Sequence, residues 1–263
     1  MAASVVSSSD IFISFGLDGG VMVILGGTAE GRRLAAALEG RAVLSLAGRT
    51  ADPLTVGATR RGGFGGVAGM VAHLREHAVE AVLDATHPFA ADISRNAVAA
   101  CAEAGVPLLR VVRPGWAGHP LAATWRWVGS HAEAAAVAAG DGRTVLLTVG
   151  RQHTVDYVDA LRERRVVARV ADGTGLTVPA GWELLTSRGP FTAEGERALF
   201  REHGVGVLVT KDAGGPMTDA KLTVAHEEGC LVVVLRRPHL PPAEEVHSVE
   251  EALAWVAHLP TPS

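Results

Sequence analysis

The densest chemistry in the sequence is Gly26-Gly27-Thr28-Ala29-Glu30-Gly31-Arg32, placed directly after the apolar run Val21 to Leu25. A strand that feeds a glycine turn and then a helix offers backbone N–H groups and the positive end of a helix dipole. Those suit the pyrophosphate of a dinucleotide. Against the G-x-G-x-x-G spacing, Gly26 and Gly31 take the outer glycine positions and Thr28 stands at the middle one. The Thr28 hydroxyl has two uses, as N-cap of the helix or as partner of a phosphate oxygen. Glu30, in the first helical turn, is awkward beside a pyrophosphate unless it points into a cleft. A tight strand-to-helix turn without ligand would read the same way.

The next strand end separates these readings. Folds that bind NAD place an acidic residue about 20 residues on, where it takes the ribose 2′-hydroxyl. Here the second strand ends in Leu46-Ala47-Gly48-Arg49-Thr50, with arginine and no carboxylate. A guanidinium suits a 2′-phosphate through paired, charge-assisted hydrogen bonds, so the expected cofactor is NADPH. A third strand end, Asp84-Ala85-Thr86-His87-Pro88-Phe89-Ala90, again opens a helix. Thr86 and His87 are expected to face nicotinamide or substrate, and Phe89 to wall the pocket. The plainer reading is that Pro88 starts the helix and His87 caps it. Arg60-Arg61-Gly62-Gly63-Phe64-Gly65-Gly66 reads as a cleft loop with two cations, or as a flexible surface loop.

Three strand ends in the second half each carry a cation beside glycine or polar residues. They are Thr148-Val149-Gly150-Arg151-Gln152, Ser187-Arg188-Gly189-Pro190-Phe191 and Thr210-Lys211-Asp212-Ala213-Gly214-Gly215. Cations at equivalent places argue for a ligand with several negative groups, such as a small polycarboxylate. His73 and His77 stand four apart but lack the His-Glu order of zinc proteases and any evident third ligand, so they are read as a solvated helix face and no metal is expected. Arg162-Glu163-Arg164-Arg165 is read as a helix end.

These loops need elements to hold them. From Val21 onward, short β-branched runs alternate with Ala-rich amphipathic stretches, the pattern of βαβ units and a parallel sheet. In the first half, strands are expected at 21–25, 42–46, 81–85 and 108–112, with helices at 30–38, 68–77 and 91–104. Arg113 to Pro120 holds two prolines and two glycines, which suits a linker. Beyond it, strands are expected at 125–128, 144–149, 166–170, 206–210 and 231–235. Helices are expected there at 131–139, 192–203, 217–228 and 249–258. The fold class is therefore α/β: two Rossmann-like lobes, each a parallel sheet flanked by helices, with a ligand cleft between them. The expected organisation is a flexible extension over 1–20, an NADP-binding lobe over 21–113, a linker over 114–123 and a substrate lobe over 124–263.

Composition agrees and excludes other classes. The chain has 263 residues, 48% of them apolar but only 5% aromatic, which suits tightly packed helix-on-sheet layers. A formal charge of −4 is too mild to suggest a nucleic-acid binder, so any basic site must be local. Cys101 and Cys230 form no Cys-x-x-Cys pair, so zinc and dithiol chemistry have no support and both read as reduced thiols. No apolar run reaches the ~18 residues that cross a bilayer, and residues 1–20 lack a secretory signal's basic start. A cytoplasmic enzyme without an obligatory protein partner is expected.

In order and spacing, these motifs together resemble the precorrin-6A reductase family over most of residues 21–258. The resemblance rests on the three loops of the first half, 25–32, 47–50 and 84–90, and on Thr148 to Arg151, Ser187 to Phe191 and Thr210 to Asp212 of the second. It implies reduction of one C=C bond of a methylated tetrapyrrole, precorrin-6A to precorrin-6B, with NADPH and without metal or flavin. Gly26, Gly27, Thr28, Glu30, Gly31, Arg32, Gly48, Arg49, Thr50, Thr86 and His87 would then line the cofactor. Arg60, Arg61, Phe64, Phe89, Arg151, Ser187, Arg188, Lys211 and Asp212 would meet the substrate. His87, Lys211, Asp212, Tyr157 and water all remain open as proton donor. Rival readings are a cobalt-precorrin-6A reductase, an NADP-binding protein without turnover, and an unrelated NADP-dependent reductase of a small metabolite.

Overall fold

A computed structural model describes residues 21–47, 56–215 and 219–259. The expected extension, the start of the expected 217–228 helix and the cofactor candidates Gly48, Arg49 and Thr50 lie outside the described residues. The chain divides into two compact units, one holding the residues up to Arg113 and those from His239 on, the other Pro114–Pro238.

In the first unit the apolar runs form β1 (Val21–Leu25), β2 (Ala42–Leu46), β3 (Thr59–Arg61), β4 (Val79–Asp84) and β5 (Leu108–Val111). Helices α1 (Ala29–Ala37), α2 (Gly66–Glu76) and α3 (Ala91–Ala104) connect them. Every residue of β1 and β2 is buried, as expected for central parallel strands covered on both faces. One face packs Met22, Ile24, Leu44 and Leu83 with Leu34 of α1. The other packs Val23, Leu25 and Val82 with Met70 and Leu74 of α2 and Ala97 and Cys101 of α3.

The second unit repeats the plan with β6 (Arg126–Val128), α4 (His131–Asp141), β7 (Thr144–Thr148), α5 (Arg151–Thr154), α6 (Val158–Leu161) and β8 (Val166–Val170). It continues through β9 (Trp182–Thr186), α7 (Ala193–His203), β10 (Val205–Lys211), α8 (Ala220–Glu227) and β11 (Leu231–Leu235). Its core includes Trp116, Leu146, Phe200, Leu208, Leu222 and Val234.

The chain then returns. β12 (Glu244–Val246) pairs in parallel with β5, and α9 (Val249–Ala257) inserts Val249, Ala252 and Val256 into the first core. The expected second lobe over 124–263 is thus corrected: it ends at Pro238. Glu244-Glu245-Val246 is too polar to read as a strand, and it sits at a sheet edge, where only one side needs partners. The strand orders are β12-β5-β4-β1-β2-β3 and β6-β11-β10-β7-β8-β9, all parallel.

Each order is the doubly wound sequence with its outer strand drawn from elsewhere in the chain. β6 precedes the other strands of its sheet, and β12 follows the whole second unit. The two outer strands lead into helices with matching starts. The Ser130 and Ser248 hydroxyls accept from the N–H groups of Glu133 and Glu251 at 3.1 and 3.0 Å. Those glutamates reach back to the N–H groups of Gly129 and His247 at 2.8 and 2.7 Å. This reciprocal capping fixes where each helix begins.

β3, β9 and the short helices α5 and α6 were not legible as elements. β3 and β9 lie at or near sheet edges, and α5 and α6 are single turns without an amphipathic period. The 73–77 face is also corrected: His73 packs edge-on against Phe64 at 5.2 Å and against His77 at 4.5 Å rather than standing in solvent.

Candidate active site: two strand rims and their loops

Strand order in the first sheet reverses between β4 and β1, and open parallel sheets hold ligands outside the strand C-termini at that point. Gly26 to Gly31 follows β1 there, and Ala85 to Ala90 follows β4. Thr28 is the N-cap of α1, with extended backbone, and its hydroxyl accepts from Gly31 N–H at 3.1 Å. The same hydroxyl donates to Ala85 C=O at 2.6 Å. It therefore joins the two loops, and the N-cap reading of Thr28 prevails over direct phosphate contact.

Gly26 and Gly31 are required by close packing. A Cβ on Gly26 would lie 2.4 Å from Leu44 Cδ1, and one on Gly31 would lie 3.1 Å from Gly26 Cα. Gly27, at φ +109°, adopts a backbone open to glycine and has nothing within 4 Å of a Cβ position. That leaves an uncovered turn in front of the helix N-terminus. Glu30 is turned toward Arg113 at the end of β5, 3.8 Å away, which answers its awkward charge. The Arg32 side chain is half-buried.

The β4 loop is rigidly tied. Asp84 Oδ1 accepts from Thr86 N–H at 3.2 Å and from its hydroxyl at 2.7 Å, and Thr86 Oγ1 lies 3.3 Å from Ser94 Oγ. Buried Arg110 stands 3.6 Å from Asp84 Oδ2 and bonds Glu245 Oε1 at 2.9 Å. His87 accepts from Phe89 N–H through Nδ1 at 3.2 Å, and the two rings sit 5.9 Å apart. Arg110, Arg113 and Ser94 carried no sequence signal, because their roles arise only when β5 and α3 are brought beside β4.

Arg60 departs from expectation. Its guanidinium donates to Ser45 Oγ, Gly62 C=O and Gly63 C=O at 2.8, 3.2 and 3.1 Å and stacks 3.9 Å over Phe64. Arg60 and Phe64 therefore build the glycine loop, while Arg61 next door is exposed.

The second sheet reverses between β10 and β7. Arg151 follows β7, Ser187 and Arg188 follow β9, and Lys211 ends β10, so parallel pairing puts all of them on one rim. Arg151 donates to Thr174 C=O at 2.9 Å and Arg188 to Ala171 C=O at 3.2 Å, both in the loop that leaves β8. Below them Arg169 and Glu196 form a buried ion pair at 2.6 Å, with Arg169 stacked 4.2 Å from the Phe191 ring. Asp212 is engaged elsewhere: its carboxylate accepts from Trp116 N–H at 2.8 Å and lies 3.5 Å from Arg237. Tyr157 is fully buried, its phenol pushed up chiefly by burial, and it lies 2.9 Å from His131 Nδ1.

His131 and His153, unmarked in the sequence because 22 residues separate them, stack face to face at 4.0 Å and 12°. With Asp156 they form a compact ligand-type cluster. A metal must lie close to the plane of each imidazole that binds it, and two parallel planes 4.0 Å apart do not share one. Burial, and then His153 nearby, pushes His131 down to about 4, so the His131 imidazole is held neutral. Burial likewise pushes the Lys211 ammonium down to about 8. A recess of about 350 Å³ lies at the starts of β7, β8 and β9, the edge away from this rim.

Comparison with known proteins agrees with this architecture. Residues 21–257 match the family model described as precorrin-6x reductase CbiJ/CobK. A precorrin-6A reductase of Rhodococcus erythropolis is 46% identical over 244 residues, covering 90% of this chain and 98% of that one. The corresponding protein of Mycobacterium tuberculosis is 45% identical over 248 residues, covering 91% and 98%. A solved CobK precorrin-6A reductase superposes with a TM-score of 0.82 at 37% identity, covering 93% of this chain and all of that one. Two doubly wound parallel sheets, the Thr28-capped glycine turn and this likeness along nearly the whole described chain agree, and the chain belongs to the precorrin-6x reductase CbiJ/CobK family.

Proposed function

We propose that this chain reduces one C=C bond of precorrin-6A, giving precorrin-6B, with NADPH as hydride donor. The observation that carries the reading is the glycine turn between β1 and α1, seated at the reversal point of a doubly wound sheet in a reductase family. The turn fits a dinucleotide: Gly26 and Gly31 allow close backbone approach, Gly27 leaves space, and α1 offers its positive end. Arg49, from the sequence, would pair with a 2′-phosphate and exclude NADH. When bound, the cofactor supplies the hydride, and the protein's task is positioning and electrostatics.

The chain's own residues divide that task. Thr28 and Asp84 hold two loops in one arrangement, so the cofactor meets a preformed turn. Thr86 and His87 border it. Arg151, Arg188 and Lys211 of the second unit would pair with acetate and propionate groups of the macrocycle, as would the exposed Arg61 of the first. Among the described residues no helix is long and apolar enough to cross a membrane, which is consistent with work in the cytoplasm.

Calorimetric titration with NADPH and NADH tests the cofactor. Arg49→Glu should weaken NADPH by about 10- to 100-fold, since hydrogen bonds to charged groups contribute about 1.5–3 kcal/mol, while NADH binding changes little. Equal binding of both cofactors by the native chain would overturn the assignment.

A further inference from the structure

Three charged residues stand side by side in the first sheet. Register pairs Asp84 of β4 with Arg110 of β5, and Arg110 with Glu245 of β12. They form one row, minus, plus, minus, from the strand at the reversal point out to the sheet edge. Asp84 and Arg110 are only 2% and 5% exposed, whereas Glu245 is open to water, so the row links an exposed carboxylate to the buried end of β4. Arg110 is shared unequally between its neighbours. Its Nη1 donates to Glu245 Oε1 at 2.9 Å and to Pro241 C=O at 3.1 Å. Its Nε stays 3.6 Å from Asp84 Oδ2, and Nε, Nη2 and that Oδ2 make no hydrogen bond to any described residue. Buried polar groups that forgo hydrogen bonds are costly, so a stated contact must hold them apart. Asp84 Oδ1 meanwhile accepts from the N–H and the hydroxyl of Thr86, at 3.2 and 2.7 Å.

We infer that Glu245 is a positioning residue for the cofactor loop: it anchors Arg110 on the β12 side, keeps the guanidinium off Asp84 and leaves that carboxylate to Thr86. The inference rests on the proposed seat of NADPH beside Thr86 and His87. A guanidinium's planar fork matches a carboxylate through two parallel bonds. Released from Glu245, Arg110 turns Nε and Nη2 onto the Asp84 oxygens, which satisfies three buried atoms and takes Oδ1 from Thr86. The loop after β4 then loses the two bonds that fix its first residues. Binding sites depend on such supporting contacts to hold their geometry within about 0.5 Å. The row also gives the polar strand β12 a use that its Glu-Glu-Val sequence does not announce, because Glu245 meets Arg110 across 135 residues of chain.

Glu245→Ala tests this cleanly, because truncation at an exposed sheet edge disturbs folding little. NADPH affinity is expected to fall about 3- to 10-fold, as for one or two weakened hydrogen bonds, with the thermal midpoint unchanged. Glu245→Gln keeps an acceptor for Arg110 and should retain most of the affinity. Glu244→Ala alters the opposite face of β12 and should retain all of it. In a Thr86→Val chain the Glu245→Ala loss should shrink to less than about 2-fold, because the hydroxyl bond through which the row acts is already gone. A second readout needs no cofactor: in ¹⁵N-labelled chain the Thr86 amide should exchange with solvent about 10-fold faster in Glu245→Ala, while β4 amides keep their protection. A Thr86 amide that Glu245→Ala leaves unchanged overturns the inference. So does an affinity loss that adds in full to that of Thr86→Val. Wild-type chain that fails to bind NADPH defeats the cofactor reading instead, and the Thr86 amide still decides whether Glu245 holds the loop.

Discussion

The Thr28 hydroxyl gives a 2.6 Å hydrogen bond to Ala85 C=O, across 57 residues of sequence, while it caps α1 through Gly31 N–H. One side chain therefore sets the start of the first helix and the separation of the glycine turn from the loop that follows β4. Thr28→Val keeps the shape and removes both bonds. A loss of about 1–3 kcal/mol in urea-unfolding stability is expected, because buried partners are left unsatisfied. NADPH affinity should fall in parallel, read by quenching of cofactor fluorescence.

Gly26→Ala should be worse than Gly31→Ala. The first drives a methyl into Leu44 Cδ1 in a filled core, while the second meets Gly26 Cα at a tight but less severe distance. Overpacking of this kind typically costs about 1–3 kcal/mol. Thermal melts of the two variants check the order.

The Arg169–Glu196 pair lies almost wholly out of water beneath the 187–191 loop. Arg169→Met strands a buried carboxylate and is expected to cost about 3–5 kcal/mol. Replacing both partners with apolar residues of similar volume should recover most of that loss. A double-mutant cycle in denaturant makes the comparison.

Much of the fold was legible because burial on both faces leaves long β-branched runs. β2, β8, β11 and α3 stand at the residues their periodicity predicts. The outer strand β12 was not legible, because an edge strand of Glu-Glu-Val carries no hydrophobic signal. With it went the true boundary at Pro238, which depends on a pairing with β5 far away in sequence. The site shows the same division. The glycine turn and the rim cations follow local order, whereas Arg113 opposite Glu30 and the His131–His153 stack exist only through tertiary packing.

The returning segment should therefore be structural for the first unit. Deleting residues from His239 on removes β12 and α9 and uncovers the core face around Leu34 and Leu109. The truncated chain is expected to lose amide-exchange protection in β1, β2, β4 and β5 while β7, β10 and β11 keep theirs. Mass-resolved hydrogen exchange reads both units in one experiment.

Burial also sets a direction for acid sensitivity. His73 and His131 are each pushed down to about 4, mainly by burial, from an ordinary 6.5. The unfolded chain then binds more protons than the folded one between these values, so stability is full above about 6.5 and is lost as pH falls toward 4. His73→Gln and His131→Gln should each flatten that slope in denaturant titrations run across the window.

The most direct test of the central claim is anaerobic oxidation of NADPH by the purified chain with precorrin-6A, beside parallel reactions with NADH and with cobalt-precorrin-6A. NADPH consumed in step with formation of a product two hydrogens heavier, and slowly or not at all in the other reactions, is the predicted result. Tight NADPH binding without oxidation on precorrin-6A would contradict it.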